Sequence, residues 1–141
     1  CRFGDPETQP IMMRLESSLV KLCLDAINDN LDSHKIRWSA KSACGVVIAS
    51  GGYPEQYKSN QEVLLEEIDG SDAKLFHAGT KIYNGSVVTS GGRVFCATAL
   101  GDDLKEAQEK AYNLVKKVSF NGAFYRKDIG YKGIYMGVKW V

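Results

Sequence analysis

Residues 93–118 read RVFCATALGDDLKEAQEKAYNLVKKV, and this stretch decides the fold class of the chain. Its first part, Arg93 to Leu100, has high β propensity and predicts a strand. Apolar residues then recur at helical spacing after Asp102 and Asp103, which predicts an amphipathic helix. The apolar stripe of this helix comprises Leu104, Ala107, Ala111, Leu114, Val115 and Val118. A strand followed by a helix with one apolar face indicates a sheet with a helix packed on it.

Short apolar runs upstream of this stretch predict the remaining strands. Ala43–Ser50 reads as a buried strand, Lys74–Gly79 as another, and residues 61–68 contain a shorter one. Asn84-Gly85 is the signature of a tight hairpin, and Val87–Thr89 should lie on its far side. Because hairpins and turns join these strands, we expect an α+β fold with a mostly antiparallel sheet and one packed helix.

The N-terminal residues predict a separate unit, a loop that leads into a helix. Ile11–Asp29 has helical periodicity with one apolar side. Thr8 is the expected N-cap, and Pro10 suits the first helical turn, where a missing N–H costs nothing. A polar stretch around Trp38 is the expected linker, and Tyr131–Val141 is the expected last strand. We therefore divide the chain into residues 1–30, 31–42 and 43–141.

The composition is that of an ordinary globular protein. Of the 141 residues, 44% are hydrophobic and 25% are charged, and the formal net charge is +1. Nothing global therefore favours nucleic acid or an acidic membrane surface as a partner. No apolar run approaches the roughly 20 residues that a membrane span requires, and we expect no signal peptide. The four cysteines lack metal-ligand spacing, which indicates a reduced cytoplasmic protein with buried thiols.

Three polar clusters are the candidate sites of chemistry. They are Arg2 with Asp5 and Glu7, His77 with Lys81, and Arg126 with Lys127. An arginine beside carboxylates can bind a phosphate while the carboxylates hold a metal or orient an amine. The same residues can equally form a surface ion-pair network of little energetic worth. A lysine close to a glycine suits an anion, whereas two cations in a loop are often only solvated.

Six motifs, in order along almost the whole chain, resemble those of the phosphoribosylamine–glycine ligase family of ATP-grasp enzymes. They are RFGDPETQ at 2–9, VVIASGGYP at 46–54, FHAGTK at 76–81, TSGGRV at 89–94, TALGD at 98–102 and YRKDIG at 125–130. Only the C-terminal end of the chain shows no family pattern. The resemblance implies the end of an ATP-grasp domain, followed by a small C-terminal domain that closes over the active site as a lid.

The resemblance also implies an ATP-dependent ligase of de novo purine biosynthesis. Members of the family activate the carboxylate of glycine with ATP as an acyl phosphate. The amine of 5-phosphoribosylamine then attacks to give glycinamide ribonucleotide, ADP and phosphate. Mg²⁺ or Mn²⁺ and ATP would bind mainly to domains upstream of Cys1, which are the expected partners beside the small-molecule substrates. We expect neither nucleic acid nor a membrane as a partner, and we expect this chain alone to be inactive.

The resemblance assigns roles to the clustered residues as well. Arg2 resembles the arginine that ends a Glu-x-Asn-x-Arg pattern, in which the Glu and Asn ligate the metal and the Arg stabilises the phosphorylated intermediate. That Glu and Asn would lie just upstream of the chain, so we expect no metal ligand within it. Asp5 and Glu7 resemble family residues beside the acceptor site. By analogy with related purine enzymes, the ribose 5-phosphate would be held by Lys81, Arg126 and Lys127.

Two other hypotheses stand beside this one. The chain can be a stand-alone module that binds a phosphate ligand or a protein, with the loop at 126–127 as its sensor surface. It can also be part of another carboxylate–amine ligase of the ATP-grasp superfamily. The chain begins within the first motif, which favours part of a longer enzyme over an independent module. The residues of the motifs at 4–9 and 126–130 favour phosphoribosylamine–glycine ligase over the other carboxylate–amine ligases of the superfamily.

Overall fold

The computed structural model describes residues 2–31, 36–68 and 70–136. The helices in chain order are α1 (Thr8–Arg14), α2 (Leu19–Ile27), α3 (Leu104–Val115) and α4 (Tyr131–Tyr135). The strands are β1 (Ser42–Ser50), β2 (Leu64–Leu65), β3 (Ala73–His77), β4 (Thr80–Tyr83), β5 (Ser86–Thr89), β6 (Arg93–Gly101), β7 (Val118–Ser119) and β8 (Ala123–Phe124).

A four-stranded antiparallel sheet in the order β3-β6-β1-β8 forms the centre of the fold. Strands β1 and β6 pair from Ser42 opposite Gly101 to Ile48 opposite Phe95. The register then shifts, so that Ala49 lies opposite Arg93. The predicted α+β fold with a mostly antiparallel sheet is therefore confirmed.

Helix α3 covers one face of this sheet and forms the main core with it. Ala107 and Ala111 are fully buried between the helix and the strands. Their small side chains let the helix lie close to the sheet. The helix begins as the sequence predicts. The Asp103 carboxylate accepts a hydrogen bond from the Glu106 N–H at 2.8 Å, and the Glu106 carboxylate accepts one from the Asp102 N–H at 2.6 Å. This reciprocal arrangement satisfies N–H groups that a helix start otherwise leaves unpaired.

Helix α1 packs on the opposite face of the sheet, so that the structure has three layers. Gly45 of β1 makes this approach possible. A Cβ atom at Gly45 would lie 2.9 Å from the Cγ atom of Pro10 and 3.3 Å from the Sγ atom of Cys96. The N-terminal loop that precedes α1 is thereby held against the sheet.

The prediction of one helix over Ile11–Asp29 is wrong. The chain forms two helices, α1 and α2, because Leu15 adopts an extended conformation and the Ser18 hydroxyl caps α2. At this break the Glu16 N–H donates to the Arg37 carbonyl at 3.1 Å, and the Ser39 N–H donates to the Arg14 carbonyl at 2.8 Å. These hydrogen bonds compensate for the helical ones that the break removes.

Details of the helix start and of the linker also differ from expectation. Glu7, not Thr8, occupies the N-cap position, and Thr8 is the first helical residue, with its hydroxyl donating to the Gly4 carbonyl. Pro10 lies in the first helical turn as predicted.

In the expected linker, Trp38 is about half exposed and pairs with Leu15 through a single β-bridge. Residues 32–35 lie outside the described part of the chain, and the division at 1–30, 31–42 and 43–141 stays a prediction.

The other strand predictions have mixed outcomes. The hairpin at Asn84-Gly85 is confirmed, since both residues have positive φ angles of 50° and 81° and join β4 to β5. The strand expected within residues 61–68 is only the two residues of β2, which pair with β7. The expected strand over Tyr131–Val141 is wrong for Tyr131–Tyr135, which form α4, and residues 137–141 lie outside the described residues.

Cysteine burial follows the prediction for Cys44 and Cys96 but not for Cys23. Cys44 and Cys96 are buried on opposite faces of the sheet, whereas Cys23 is exposed on α2. Cys1 lies outside the described residues. Burial raises the pKa of the Cys44 thiol from its ordinary value of 9.0 to about 11, with a smaller contribution from Cys96.

Candidate functional site

The loop of residues 2–7 approaches the sheet just before α1 begins. The Glu7 side chain folds back over Gly4 in this loop. A Cβ atom at Gly4 would lie 1.9 Å from the Oε1 atom of Glu7. Arg2 and Glu7 are exposed, and neither makes a side-chain hydrogen bond or ion pair with the residues that the structure describes.

Arg93, the first residue of β6, connects this loop to the sheet. Its guanidinium donates from Nη1 to the backbone carbonyl of Asp5 and to the Asp5 carboxylate, the latter at 3.2 Å. Its Nε donates to the Tyr53 hydroxyl at 2.9 Å. The hydrogen bond with Tyr53 is the main cause that raises the pKa of Arg93, followed by smaller contributions from Asp5. Through these hydrogen bonds Arg93 keeps the Asp5 segment beside the start of β6.

Tyr53 is itself fixed by close packing against the turn before β6. A Cβ atom at Gly92 would lie 2.1 Å from the Cδ2 atom of the Tyr53 ring. The Ser50 side chain donates to the Gly91 carbonyl at 3.0 Å, which ties the end of β1 to the same turn. The two glycine-rich turns at 51–54 and 90–92 thus build one platform for Arg93.

A cavity of about 380 Å³ opens beside Arg93 on the sheet face opposite α3. Its floor is formed by alternate residues of β1, namely Gly45, Val47 and Ala49. Pro6 and Arg93 also line the cavity, as do Phe124, Tyr125, Arg126 and Ile129. A concave, largely apolar site of this size with a few charged groups is typical of small-ligand binding.

Arg126 enters the cavity lining from the loop between β8 and α4. Its Nε and Nη2 atoms donate to the two carboxylate oxygens of Asp128 at 3.0 Å and 2.6 Å. The two side chains are 71% and 60% exposed, so this bidentate ion pair is weak and readily exchanged. The hydrogen bonds from Arg126 lower the pKa of Asp128. Lys127 is exposed, and among the described residues it has no ion-pair partner.

The second predicted cluster, His77 with Lys81, lies outside the cavity lining. The Nδ1 atom of His77 is 3.0 Å from the Thr80 hydroxyl oxygen, and its ring packs edge-on against Phe95. Lys81 is exposed on β4, where its ammonium lies 6.0 Å from the centroid of the Tyr83 ring. Of the predicted site residues, Arg126 lines the cavity, and Asp5 lies beside it through its bonds to Arg93 and its neighbour Pro6. The lining does not include Arg2, Glu7, Lys81 or Lys127. The roles of Arg2, Glu7, Lys81 and Lys127 stay predictions.

Sequence reasoning missed two residues of this site, Arg93 and Tyr53. Both lie in motifs that carry the family resemblance, at 89–94 and 46–54. The signal that could have singled them out is chemical: each follows a pair of glycines, where a side chain can lie close to a neighbouring backbone. Their meeting with Asp5 depends on the sheet register and on α1 packing, which local patterns do not specify.

Within residues 2–31, 36–68 and 70–136, no group of three or more His, Cys, Asp or Glu side chains is placed to hold a metal ion. None of the helices in this part of the chain has the length and apolar character needed to cross a bilayer.

Comparisons with known proteins agree on one family. The family model described as "Phosphoribosylglycinamide synthetase, C domain" matches residues 43–132. A protein of Vibrio parahaemolyticus named phosphoribosylamine–glycine ligase is 52% identical over 135 residues, which is 95% of this chain and 32% of that protein. A protein of the same name from Pseudomonas aeruginosa is 54% identical over 135 residues, again 95% of this chain and 32% of that protein.

A solved structure shows the same fold. The crystal structure of phosphoribosylamine–glycine ligase from Thermotoga maritima matches with a TM-score of 0.72 and 33% sequence identity, over 90% of this chain and 31% of that one. The chain spans about a third of the length of the curated relatives that it matches, at 32% of each.

Proposed function

The chain belongs to the phosphoribosylglycinamide synthetase C-domain family, and we propose on this premise that it is the C-terminal part of an ATP-dependent phosphoribosylamine–glycine ligase. The complete enzyme activates the carboxylate of glycine as an acyl phosphate. The amine of 5-phosphoribosylamine then attacks the acyl carbon, which gives glycinamide ribonucleotide and releases phosphate, with ADP formed in the first step. This reaction belongs to de novo purine biosynthesis.

One observation carries the proposal: two motif loops far apart in the sequence line the same cavity. The Asp5–Pro6 loop, fixed by Arg93, lies on one side, and Arg126 lies on another. The reaction combines an amine, a carboxylate and several phosphate oxygens, and it therefore needs fixed cations and hydrogen-bond acceptors around one space. The apolar floor formed by β1 suits the face of a ribose ring.

The phosphate of the phosphoribosyl substrate takes the cationic side of this cavity. Arg126 presents a planar fork that matches a phosphate, and Lys127 adds a second charge. A dianionic phosphate displaces Asp128 from the fork, because the existing ion pair is exposed and weak. Lys81 is a further cation of this group by resemblance.

Asp5 and Glu7 take the other side of the reaction centre, beside the amine of phosphoribosylamine. A carboxylate there accepts hydrogen bonds from the amine and orients it toward the acyl phosphate. Arg2, three residues before Asp5 in the same loop, stabilises the negative charge of the phosphorylated intermediate.

ATP and Mg²⁺ or Mn²⁺ bind mainly to the upstream part of the complete enzyme, in our proposal. The described residues of this chain do not fit a metal site of their own, since their carboxylates and imidazoles are not grouped. The partners of the chain are thus the upstream domains and the substrates glycine, 5-phosphoribosylamine and ATP. A formal charge of +1 gives no reason to invoke nucleic acid or a membrane as a partner. We also propose that the enzyme is cytoplasmic.

Residues 43–141 serve as a lid in this proposal. An acyl phosphate hydrolyses easily, so a domain that closes over it and excludes water protects the intermediate. In the closed enzyme the small C-terminal domain presents Arg93 and Arg126 to the reaction centre. In this proposal the nucleotide site belongs to the upstream part of the enzyme, and we predict that residues 1–141 have no ligase activity by themselves.

The test is kinetic and uses the complete enzyme. Replacing both Arg126 and Lys127 by Ala should raise the KM for phosphoribosylamine roughly tenfold or more, because the charge-assisted contacts of both side chains to phosphate are lost. The KM for ATP should change little. A matched control replaces two exposed cations, Lys105 of α3 and Lys116 just after it, by Ala and should leave both constants unchanged. An equal rise in both constants after the Arg126 and Lys127 changes would remove these residues from the phosphate role.

A further inference from the structure

We propose that Tyr112 and Gln108 of α3 are positioning residues of the ligase, which hold the loop at 126–129 so that Arg126 faces the cavity. The inference rests on the proposed function, because that function assigns Arg126 to binding the phosphate of the substrate. Neither residue lines the cavity, so each acts through the loop.

Three hydrogen bonds from α3 fix the backbone of this loop. The Tyr112 hydroxyl donates to the Arg126 carbonyl at 2.8 Å and accepts from the Ile129 N–H at 3.1 Å. The Gln108 Nε2 atom donates to the Ile129 carbonyl at 2.6 Å. The Tyr112 hydroxyl thus bonds both ends of the loop, as a donor to Arg126 and as an acceptor from Ile129. Both polar backbone groups of Ile129 are bound to side chains of α3.

The two side chains extend from the same face of α3. Residues one helical turn apart lie one above the other, so Gln108 and Tyr112 form a pair that can grip a single segment. The packing around them is close. A Cβ atom at Gly130 would lie 3.2 Å from Gln108 Nε2, and the Tyr112 and Tyr125 ring centroids are 6.1 Å apart.

Arg126 depends on this support because its own side chain has little else to hold it. It is 71% exposed, and its ion-pair partner Asp128 belongs to the same loop. The position of its guanidinium over the cavity is therefore set by the loop backbone. Helix α3 is a rigid base for that backbone, since Ala107, Ala111, Leu114 and Val115 are buried in the core. A binding group held from a packed helix loses less freedom when its ligand binds.

The test is Tyr112→Phe in the complete enzyme, a change that keeps the ring and removes only the hydroxyl. Two hydrogen bonds to the loop are lost, and we expect the KM for phosphoribosylamine to rise about three- to tenfold. The KM values for ATP and glycine should stay within twofold. Gln108→Ala combined with Tyr112→Phe should give a larger rise. Tyr135→Phe, on the exposed side of α4, is the matched control and should leave all three constants unchanged.

A second measurement follows the loop itself and does not depend on activity. In Tyr112→Phe the Ile129 amide should exchange its hydrogen faster than in the parent enzyme, while amides of α3 keep their rates. An unchanged rate for Ile129 would overturn the positioning role. So would a uniform rise in all three KM values with a lowered unfolding temperature, because that pattern indicates a role in stability alone.

The failure of this inference can be told apart from failure of the proposed function. If the Arg126 and Lys127 double change raises the KM for phosphoribosylamine but Tyr112→Phe does not, the positioning role is wrong and the ligase assignment stands. If the double change has no effect on that constant, the phosphate role of the loop is wrong, and the inference fails with it.

Discussion

Replacing Arg93 by Met tests whether the link between the four-stranded sheet and the Asp5 loop matters for turnover. Methionine has a similar length but can make none of the three hydrogen bonds that Arg93 gives to Asp5 and Tyr53. The Arg93 and Asp5 side chains are 39% and 45% exposed, so solvent screening weakens the bonds to Asp5. We assign about 0.5 kcal/mol to each bond to Asp5 and about 1 kcal/mol to the bond with Tyr53.

The three bonds together then contribute about 2 kcal/mol, which corresponds to roughly a 30-fold lower kcat if all of it orients the transition state. The assay is steady-state release of ADP by the complete enzyme, with thermal unfolding measured in parallel. Tyr53→Phe removes only the hydroxyl and should lower kcat about fivefold. Arg93→Lys keeps the charge and should fall between the parent enzyme and Arg93→Met.

The reasoning is refuted if Arg93→Met turns over at the rate of the parent enzyme. It is refuted as well if Arg93→Lys and Arg93→Met are equally impaired and both unfold at a much lower temperature. The second result would show that Arg93 stabilises the fold and does not orient the loop.

Three further predictions concern the loop, the helix and the core. Replacing Arg2 by Ala in the complete enzyme should depress turnover with little change in unfolding temperature, and normal turnover would count against its catalytic role. Asp103→Ala removes the cap of α3 and should lower the free energy of unfolding by about 1 kcal/mol, as measured by urea denaturation. Because burial raises the pKa of Cys44 from 9.0 to about 11, the thiol contributes full stability below pH 9 and loses it as the pH rises toward 11. Unfolding free energies measured across this window should fall more steeply in the parent protein than in Cys44→Ala.

The sheet and α3 were predictable because their signals are local. Strand β6 has high β propensity, the hairpin at Asn84-Gly85 has its turn residues in place, and α3 has both a cap and an apolar stripe. In each case propensity, pattern and turn chemistry agree. The prediction of helix and strand type was therefore correct for these segments. The exception is Val118, which was expected on the apolar stripe of α3 but lies in β7 because the helix ends at Val115.

The break between α1 and α2 was not predictable, because hydrogen bonds from a distant segment cause it. Leu15 continues the apolar period of a single helix, yet the Arg14–Glu16 backbone pairs with Arg37 and Ser39. The signal at Ser18, a preferred cap residue, is too common to decide the matter. The prediction for the segment after Gly130 was wrong for a different reason, since its short sequence shows neither helical nor strand periodicity.

The candidate site was only partly predictable for the same reason. Motif resemblance pointed to Asp5 and Arg126, whose site roles stay predictions, and the loops that carry them both contribute to the lining of one cavity, through Pro6 and Arg126. Arg93 lies far from Asp5 in sequence, and their contact requires the β1–β6 register and the close approach of Pro10 to Gly45. The support of Arg126 by Tyr112 likewise depends on how α3 packs beside the loop.

A crystal structure of the complete enzyme with glycinamide ribonucleotide tests the central claim most directly. We predict that the phosphate lies within hydrogen-bonding distance of Arg126 or Lys127, that Asp128 no longer occupies the Arg126 fork, and that the ribose covers the floor formed by Gly45, Val47 and Ala49. A phosphate bound away from this loop, with the cavity beside Arg93 empty, would contradict the account.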